Sequence, residues 1–398
     1  MPGFELLGDA ERRAVAQVME TGVLMRYGFD GARNDHWKAR EMEAALARRM
    51  QTPYAHLVSS GTAALTVALA SAGVGAGDEV ILPTFTFVAS FEAVLALGAV
   101  PVLCDIDDTL TLDPQAVAAA ITPKSKVIMP VHMCGSMANL DALMALAERH
   151  GILLVEDACQ AIGGTYRGKP LGSIGHAGCF SFDYVKTITC GEGGGLITHS
   201  KALYEKAQAY SDHGHDHIGN DRGAEGHPHL GYNYRISELH AAVGLAQLER
   251  LDTFLELQNR HYGILRKALE EEQGVTFRRV PEGGVENYSF LNVFLPDAQV
   301  ARRAQAALQR AGVDGVFYWF ENNWHYHRKW EHLKALKSLG PLPDAVERRI
   351  QECNSRDFSA SDHWMSRNLS ILVKLSWGEA ALEKRALALQ QGLREALG

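Results

Sequence analysis

The sequence has no long apolar run and no excess of basic residues. It contains no stretch of 18 uncharged apolar residues, and Glu5 and Asp9 already fall within the first ten positions. We therefore expect neither a membrane-spanning helix nor a secretory signal peptide. The 39 Lys and Arg residues are outnumbered by 47 Asp and Glu, for a formal net charge of −8. That balance argues against nucleic-acid binding, which needs a basic surface.

Cysteine is also sparse. Six cysteines are scattered over 398 residues without a CxxC pair, which excludes a disulfide framework and is typical of a reduced, cytoplasmic protein. Internal repeats and low-complexity segments are missing as well. At 43.5 kDa the chain is large enough for two domains with substantial cores.

What is present is an alternation of apolar strands and helical segments. Between residues 54 and 200, Ala- and Leu-rich helical stretches such as 63–73 and 140–151 separate the predicted strands, at 78–83, 100–106, 125–131, 152–157, 178–182 and 194–198. Continuous apolar strands separated by helices predict an α/β fold with a large, mostly parallel sheet covered on both faces. Ligands of such sheets bind beyond the carboxyl ends of the strands.

The C-terminal part has a different pattern. Apolar residues at helical spacing predict one long helix over 235–269. After it come a predicted strand at 287–296, a helix at 298–312 and an aromatic-rich loop at 316–330. We therefore predict a large domain over residues 1–250 and a smaller α+β domain over residues 251–398.

One lysine has an unusual neighbourhood. Lys186, in the stretch SFDYVKTITCGEGGGLIT, precedes a glycine run over 191–195 by five residues. Glycines allow tight turns and close approach of the backbone to other groups. A lysine that forms a covalent imine needs such surroundings, because its amine must be held in one place.

Three further strand-end signals accompany this lysine. Ser60-Gly61-Thr62 opens an Ala-rich helix, whose free N–H groups suit a phosphate. The same residues would also be found at an ordinary capped helix start that binds no ligand. Asp157 ends an apolar strand, either as a helix cap or as the partner of a buried cation. Phe87 follows another strand, and an aromatic there is either core or a stacking face. Together, a phosphate anchor, an aromatic face, a carboxylate and an imine lysine are what pyridoxal 5'-phosphate requires.

Five motifs resemble one family across nearly the whole chain. SSGTAAL, PTFTFVAS, EDACQA, FSFDYVKTITCGEGG and GYNYRISELHAAVGLAQL occur in the order found in the DegT/DnrJ/EryC1/StrS aminotransferases. The resemblance implies the pyridoxal phosphate-dependent fold type I, like aspartate aminotransferase. It also implies that Lys186 forms the imine, Asp157 faces the pyridine nitrogen, Phe87 stacks on the ring and Gln160 meets the 3-hydroxyl side.

The same resemblance implies the remaining cofactor contacts. Gly61, Thr62 and Ser181, with Ser60 beside them, would hold the phosphate. Asn233 would reach the phosphate of the neighbouring subunit, so the implied functional unit is a homodimer with shared sites. Family members that act as dehydratases have histidine at the position of Lys186, so the lysine indicates amino transfer.

The segment 211–229 holds five histidines: His213, His215, His217, His227 and His229. Imidazoles at this spacing can bind zinc. No cysteine lies nearby, however, and the turn-rich composition favours a surface or subunit-contact loop that helps to shape the substrate pocket. We predict no metal site.

Segments 211–229, 183–194 and 317–330 are similar to one subgroup of the family, whose members aminate an octulosonate of the lipopolysaccharide core. This resemblance implies L-glutamate as the donor and 8-oxo-3,8-dideoxy-D-manno-octulosonate as the acceptor. A nucleotide-linked 3- or 4-keto-6-deoxy sugar is the alternative acceptor, and a non-catalytic regulator is a remote alternative. Both favoured substrates carry carboxylates, which arginine clamps best; the candidate arginines are Arg26, Arg222, Arg235 and Arg367.

Overall fold

The computed structural model describes residues 2–219 and 221–398. Met1, in the predicted large domain, and Asn220, in the histidine-rich segment, lie outside the described residues. None of the helices in the described ranges combines the length and apolar character needed to cross a membrane.

The strands form three sheets. In chain order they are β1 (Tyr54–Val58), β2 (Glu79–Pro83), β3 (Val100–Cys104), β4 (Ser125–Ile128), β5 (Leu153–Asp157), β6 (Thr165–Tyr166), β7 (Lys169–Pro170), β8 (Ala177–Ser181), β9 (Gly194–Thr198), β10 (Thr276–Phe277), β11 (Gly284–Val285), β12 (Phe290–Phe294), β13 (Val316–Phe317) and β14 (Asn368–Leu372). The main sheet has the order β1-β9-β8-β5-β4-β2-β3, and a second sheet has the order β10-β12-β14-β13.

The helices, again in chain order, are α1 (Asp9–Thr21), α2 (Lys38–Arg49), α3 (Gly61–Ser71), α4 (Val88–Leu95), α5 (Pro114–Ala120), α6 (Leu140–His150), α7 (Lys201–Ser211), α8 (Glu238–Leu248), α9 (Leu251–Leu269), α10 (Ala298–Arg310), α11 (Glu331–Lys334), α12 (Asp344–Asn354), α13 (Ser359–Met365) and α14 (Glu379–Leu397).

The large, mostly parallel sheet is confirmed. Strands β2, β3, β4, β5 and β8 pair in parallel, and β9 pairs antiparallel with both β8 and β1. The six predicted strands match β2, β3, β4, β5, β8 and β9 closely. Their side chains are almost all buried, as expected where helices cover both faces.

The prediction of one long helix over 235–269 is wrong. Residues 249–250 form a turn between α8 and α9, and Ser237 caps α8 by accepting a hydrogen bond from the His240 N–H. The Arg250 side chain donates to the Leu6 carbonyl at 3.0 Å. The apolar spacing continues through the break because each half needs an apolar face, but α8 packs on α1 and α2 whereas α9 packs on α14.

The second sheet is antiparallel and has its own core with α9, α10 and α14, which gives the smaller α+β unit. Within the C-terminal region, Trp330, Val346, Ile350 and Phe358 nevertheless belong to the core of the main sheet. The division of the chain after residue 250 therefore stays a prediction.

Candidate active site

A cavity of about 250 Å³ lies at the carboxyl ends of the central strands. The structure brings eight of the nine predicted cofactor-binding residues to its wall: Ser60, Gly61, Thr62, Phe87, Asp157, Gln160, Ser181 and Lys186. Residues from widely separated parts of the chain therefore meet where parallel sheets bind ligands.

Lys186 lies in the hairpin that joins β8 to β9. The hairpin closes through hydrogen bonds from the Phe182 N–H to the Gly193 carbonyl and from the Cys190 N–H to the Phe182 carbonyl. Gly191 has φ of +85°, a left-handed conformation that favours glycine. Among the residues that the structure describes, Lys186 is the one cation on the cavity wall, and its amine has no carboxylate partner there.

The N-terminus of α3 forms an anion cradle. Ser60 caps the helix by accepting from the Ala63 N–H at 3.0 Å, whereas the N–H groups of Gly61 and Thr62 have no partner in the described chain. A Cβ on Gly194 would lie 2.2 Å from the Ser60 carbonyl oxygen, and one on Gly61 would lie 2.7 Å from the Ser181 Cβ. The glycines thus allow the helix to approach both strands closely, and the free donors suit a phosphate.

The Asp157 carboxylate is fixed by two donors. Ser90 Oγ donates to Oδ2 at 2.7 Å and the Cys159 N–H donates to Oδ1 at 3.1 Å, and only 4% of the residue is exposed. Burial, reinforced by this carboxylate, raises the pKa of the Cys159 thiol well above its usual value, so the thiol stays neutral. A buried carboxylate on the wall suits the protonated nitrogen of a pyridine ring.

The opposite wall is aromatic. Phe87 precedes α4 and stacks on Trp324, with ring centroids 5.9 Å apart and an angle of 9°. Gln160 is oriented because its Oε1 accepts from the Cys134 N–H at 2.9 Å, which leaves its amide N–H groups as donors. The anion cradle, aromatic face, carboxylate and amine therefore fit pyridoxal phosphate.

The sequence interpretation missed His325, which also lines this cavity. Asn322 Oδ1 accepts from the Trp324 N–H at 2.8 Å and lies 3.0 Å from His325 Nδ1. Because the amide oxygen of Asn322 can only accept, His325 Nδ1 must carry the ring hydrogen and donate it. Nε2 then carries no hydrogen and is an acceptor. Burial, with a smaller contribution from the charge of Lys186, lowers the pKa of His325 to about 3. The ring is therefore neutral.

Asn233, the ninth predicted residue, lies outside the cavity of its own chain. It is exposed, and its Oδ1 accepts from the Arg235 N–H at 3.3 Å. Asp212 and Asn233 form an isolated antiparallel bridge, which anchors this position to the histidine-rich segment.

The four candidate arginines are likewise absent from the cavity wall. Arg26 is buried against Glu43 at 2.7 Å, and Arg367 lies beside His363. Arg222 and Arg235 both pair with Asp212. Burial alone would raise the pKa of Asp212, but the hydrogen bonds from these two arginines lower it below its usual value.

In the histidine-rich segment, His215 contacts Glu225 at 2.9 Å and the ring of His227 at 4.3 Å. His217 stacks on Tyr27 with centroids 4.5 Å apart. Among residues 2–219 and 221–398, no group of three or more His, Cys, Asp or Glu side chains is placed to hold a metal ion.

Nearly the whole chain is similar to known aminotransferases. Residues 7–350 match the DegT/DnrJ/EryC1/StrS aminotransferase family. An aminotransferase from Psychrobacter cryohalolentis is 27% identical, with a TM-score of 0.84 over 98% of both chains. The 3-amino-5-hydroxybenzoic acid synthase is 30% identical, with a TM-score of 0.80 over 98% of this chain and 97% of that chain.

The DesV protein of S. venezuelae, solved in complex with a ketimine intermediate, is 27% identical. Its TM-score is 0.78 over 96% of this chain and 94% of that chain. The chain therefore belongs to the DegT/DnrJ/EryC1/StrS aminotransferase family, and it is a pyridoxal phosphate-dependent aminotransferase of fold type I.

Proposed function

We propose that this enzyme transfers the amino group of L-glutamate to an oxo sugar, with 8-oxo-3,8-dideoxy-D-manno-octulosonate as the favoured acceptor. The observation that carries the proposal is the meeting of Lys186, Asp157 and the free N–H groups of Gly61 and Thr62 at one cavity. The similarity of segments 183–194, 211–229 and 317–330 to octulosonate aminotransferases supports the choice of acceptor.

In this proposal each residue has a separate task. Gly61, Thr62 and Ser181 bind the cofactor's phosphate through the cradle at the start of α3. Asp157 holds a proton on the pyridine nitrogen, and Lys186 Nζ supplies the covalent attachment. The cofactor, when bound, supplies an electron sink that makes the α-carbon of the donor acidic.

Lys186 then acts a second time. With its amine free, Lys186 would be the base that takes the proton from the α-carbon of the donor, and it would deliver that proton to the cofactor. His325 cannot take that role near neutral pH, because its pKa is about 3. Its Nε2 is suited instead to accept a hydrogen bond from a hydroxyl or an ammonium group.

We also propose a homodimer with shared sites. Asn233 is exposed and lies outside the cavity of its own chain, which supports its predicted reach into the neighbouring subunit. Arg235, two residues further on, would accompany it. A cation that binds a substrate carboxylate would then come from the partner subunit, since Lys186 is the one lysine or arginine on the cavity wall among the described residues.

A nucleotide-linked 3- or 4-keto-6-deoxy sugar remains the competing acceptor. The two acceptors require different pockets, because a sugar acid needs a cation close to the cofactor whereas a nucleotide sugar needs an extended groove. Purified enzyme should therefore be assayed with L-glutamate against an 8-oxo octulosonate and a panel of nucleotide keto-sugars. Turnover of the octulosonate is expected, and turnover of nucleotide sugars alone would overturn the choice of acceptor.

A further inference from the structure

We propose that Ser90 is a positioning residue for catalysis: together with Thr86 it forms a hydroxyl relay that holds the Asp157 carboxylate in place and directed at the cofactor. This inference rests on the role proposed above for Asp157. Ser90 is not one of the residues predicted to be catalytic, Lys186 and Asp157, because it acts on the cofactor only through the Asp157 carboxylate.

The three side chains form a continuous buried chain of oxygen atoms. Thr86 Oγ1 lies 2.6 Å from Ser90 Oγ, and Ser90 Oγ lies 2.7 Å from Asp157 Oδ2. Their exposures are 0%, 1% and 4%, so bulk water does not replace any of these contacts. The relay is set by α4, because Thr86 precedes the helix and Ser90 lies one turn later on the same side.

The direction of the Ser90 hydrogen is defined, because an ionised carboxylate only accepts and the hydroxyl hydrogen therefore points to Asp157. The Ser90 oxygen can then accept from Thr86, whose single hydroxyl hydrogen has two acceptors within reach, Ser90 Oγ at 2.6 Å and the Phe87 carbonyl at 3.1 Å. The Cys159 N–H on Oδ1 at 3.1 Å is a second donor, and a backbone N–H cannot be reversed. Hydrogen bonds to a charged acceptor are stronger than those to a neutral one, so both donors hold the carboxylate firmly in one orientation.

Removal of Ser90 would leave Oδ2 buried without a donor. The carboxylate would then take back part of the proton that it holds on the pyridine nitrogen, and the electron sink would weaken. The loss of one hydrogen bond to a charged group predicts a fall in kcat of about 10- to 100-fold for Ser90→Ala. Ser90→Thr keeps the hydroxyl and should retain most of the activity. The kcat of Thr86→Val should lie between those of the wild type and Ser90→Ala.

The decisive readout is the protonation state of the pyridine nitrogen. It is measured by ¹⁵N NMR of holoenzyme loaded with ¹⁵N-labelled pyridoxal phosphate. The matched control is Ser71→Ala, which removes a buried hydroxyl that donates to the Val67 carbonyl at 2.7 Å within α3. The wild-type and control signals should be those of a protonated nitrogen, whereas Ser90→Ala should shift towards the unprotonated form.

The outcomes separate the two proposals. If the wild-type enzyme holds no cofactor on Lys186, or if its pyridine nitrogen is unprotonated, the function proposed above fails. If the wild type is protonated and Ser90→Ala gives the same signal, the relay fails and the function stands. Should Ser90→Ala not fold, Thr86→Val decides the question, because an unchanged signal in that variant would also overturn the relay.

Discussion

Glu156 and Asp157 are consecutive on β5, yet their carboxylates have separate sets of partners. The Glu156 carboxylate accepts from the His132 ring at 2.9 Å and from the backbone N–H groups of Gly172, Ile174 and Gly175 at 2.7–2.8 Å. Asp157 lines the cavity. Because successive side chains on a strand point to opposite faces, one carboxylate is structural and its neighbour is available for chemistry.

This division predicts opposite effects for two matched variants. Asp157→Asn should lower kcat about a thousandfold, which corresponds to ~4 kcal/mol of barrier, because a neutral amide cannot hold the pyridine nitrogen protonated. Its melting temperature should change little. Steady-state kinetics and thermal melting of the same preparations provide both quantities.

Glu156→Gln is the control for that variant. Its amide N–H₂ would face backbone donors, so the free energy of unfolding should fall by about 3 kcal/mol. Turnover of the folded fraction should remain within a few-fold of wild type. No helix directly follows Asp157, and residues 159–163 form turns, so near-normal turnover of Asp157→Asn would show that Asp157 only caps this turn through the Cys159 N–H.

A second prediction concerns the anion cradle. In Gly194→Ala the new Cβ would lie 2.2 Å from the carbonyl oxygen of Ser60, and backbone cannot move aside as a flexible side chain can. We expect a loss of about 1–3 kcal/mol in stability and weaker binding of pyridoxal phosphate, measured by calorimetry.

Gly263→Ala is the control for the cradle. Gly263 is exposed in α9 with nothing within 4 Å of an added Cβ. Alanine there should stabilise the helix by about 1 kcal/mol without a change in cofactor affinity. Equal cofactor affinity in the two glycine variants would contradict the role assigned to the close approach of Gly194 and Ser60.

A third prediction concerns pH. Because the folded-state pKa of His325 is about 3, the unfolded chain binds a proton at this residue below pH 6.5 and the folded chain does not. This residue therefore destabilises the fold as the pH falls from about 6.5 towards 3. Between pH 7 and 5.5 its contribution is about 1 kcal/mol.

His325→Asn should remove that contribution. Thermal melting of both proteins at pH 7 and 5.5 should show a smaller acid-induced decrease in the variant than in wild type. An equal decrease in the two proteins would mean that His325 is protonated in the folded state.

The sequence predicted those parts of the site that follow strand ends. Asp157 and Lys186 each lie beside a strand that the apolar pattern predicts, so their neighbourhood at one edge of the sheet could be inferred. The strand before the Ser60–Thr62 turn, β1 (Tyr54–Val58), was not among the predicted strands, and the signal for that turn was the Ala-rich helix after it. The antiparallel direction of β9 could not be inferred, because the sequence GGLIT is equally compatible with parallel and antiparallel pairing.

The contact of Phe87 with Trp324 and His325 could not be predicted from the sequence. Trp324 and His325 reach Phe87 only because the backbone of 324–327 pairs with that of 84–88, through bonds such as the Thr86 N–H to the His325 carbonyl at 3.0 Å. No local pattern signals a contact between segments so far apart in the chain. Ser90 lies within the PTFTFVAS motif, but its role depends on its distance from Asp157, which the sequence does not give.

The shared-site dimer predicts complementation between inactive variants. Lys186→Ala and an Asn233 replacement bulky enough to block the neighbouring cradle should each be inactive as homodimers. Mixed dimers should regain one working site, made from Lys186 of one chain and Asn233 of the other. Activity that stays at zero, although native mass spectrometry shows hybrids, would mean that each site is built within one chain.

The central claim is that Lys186 carries the cofactor, and borohydride reduction of the holoenzyme followed by peptide mapping tests it most directly. The yellow colour of the bound cofactor should disappear, and the phosphopyridoxyl group should be found on the peptide that contains Lys186. Lys186→Ala should still bind pyridoxal phosphate through the cradle at Gly61 and Thr62, but without covalent labelling and without turnover. A label on any other lysine of the wild-type protein would contradict the account.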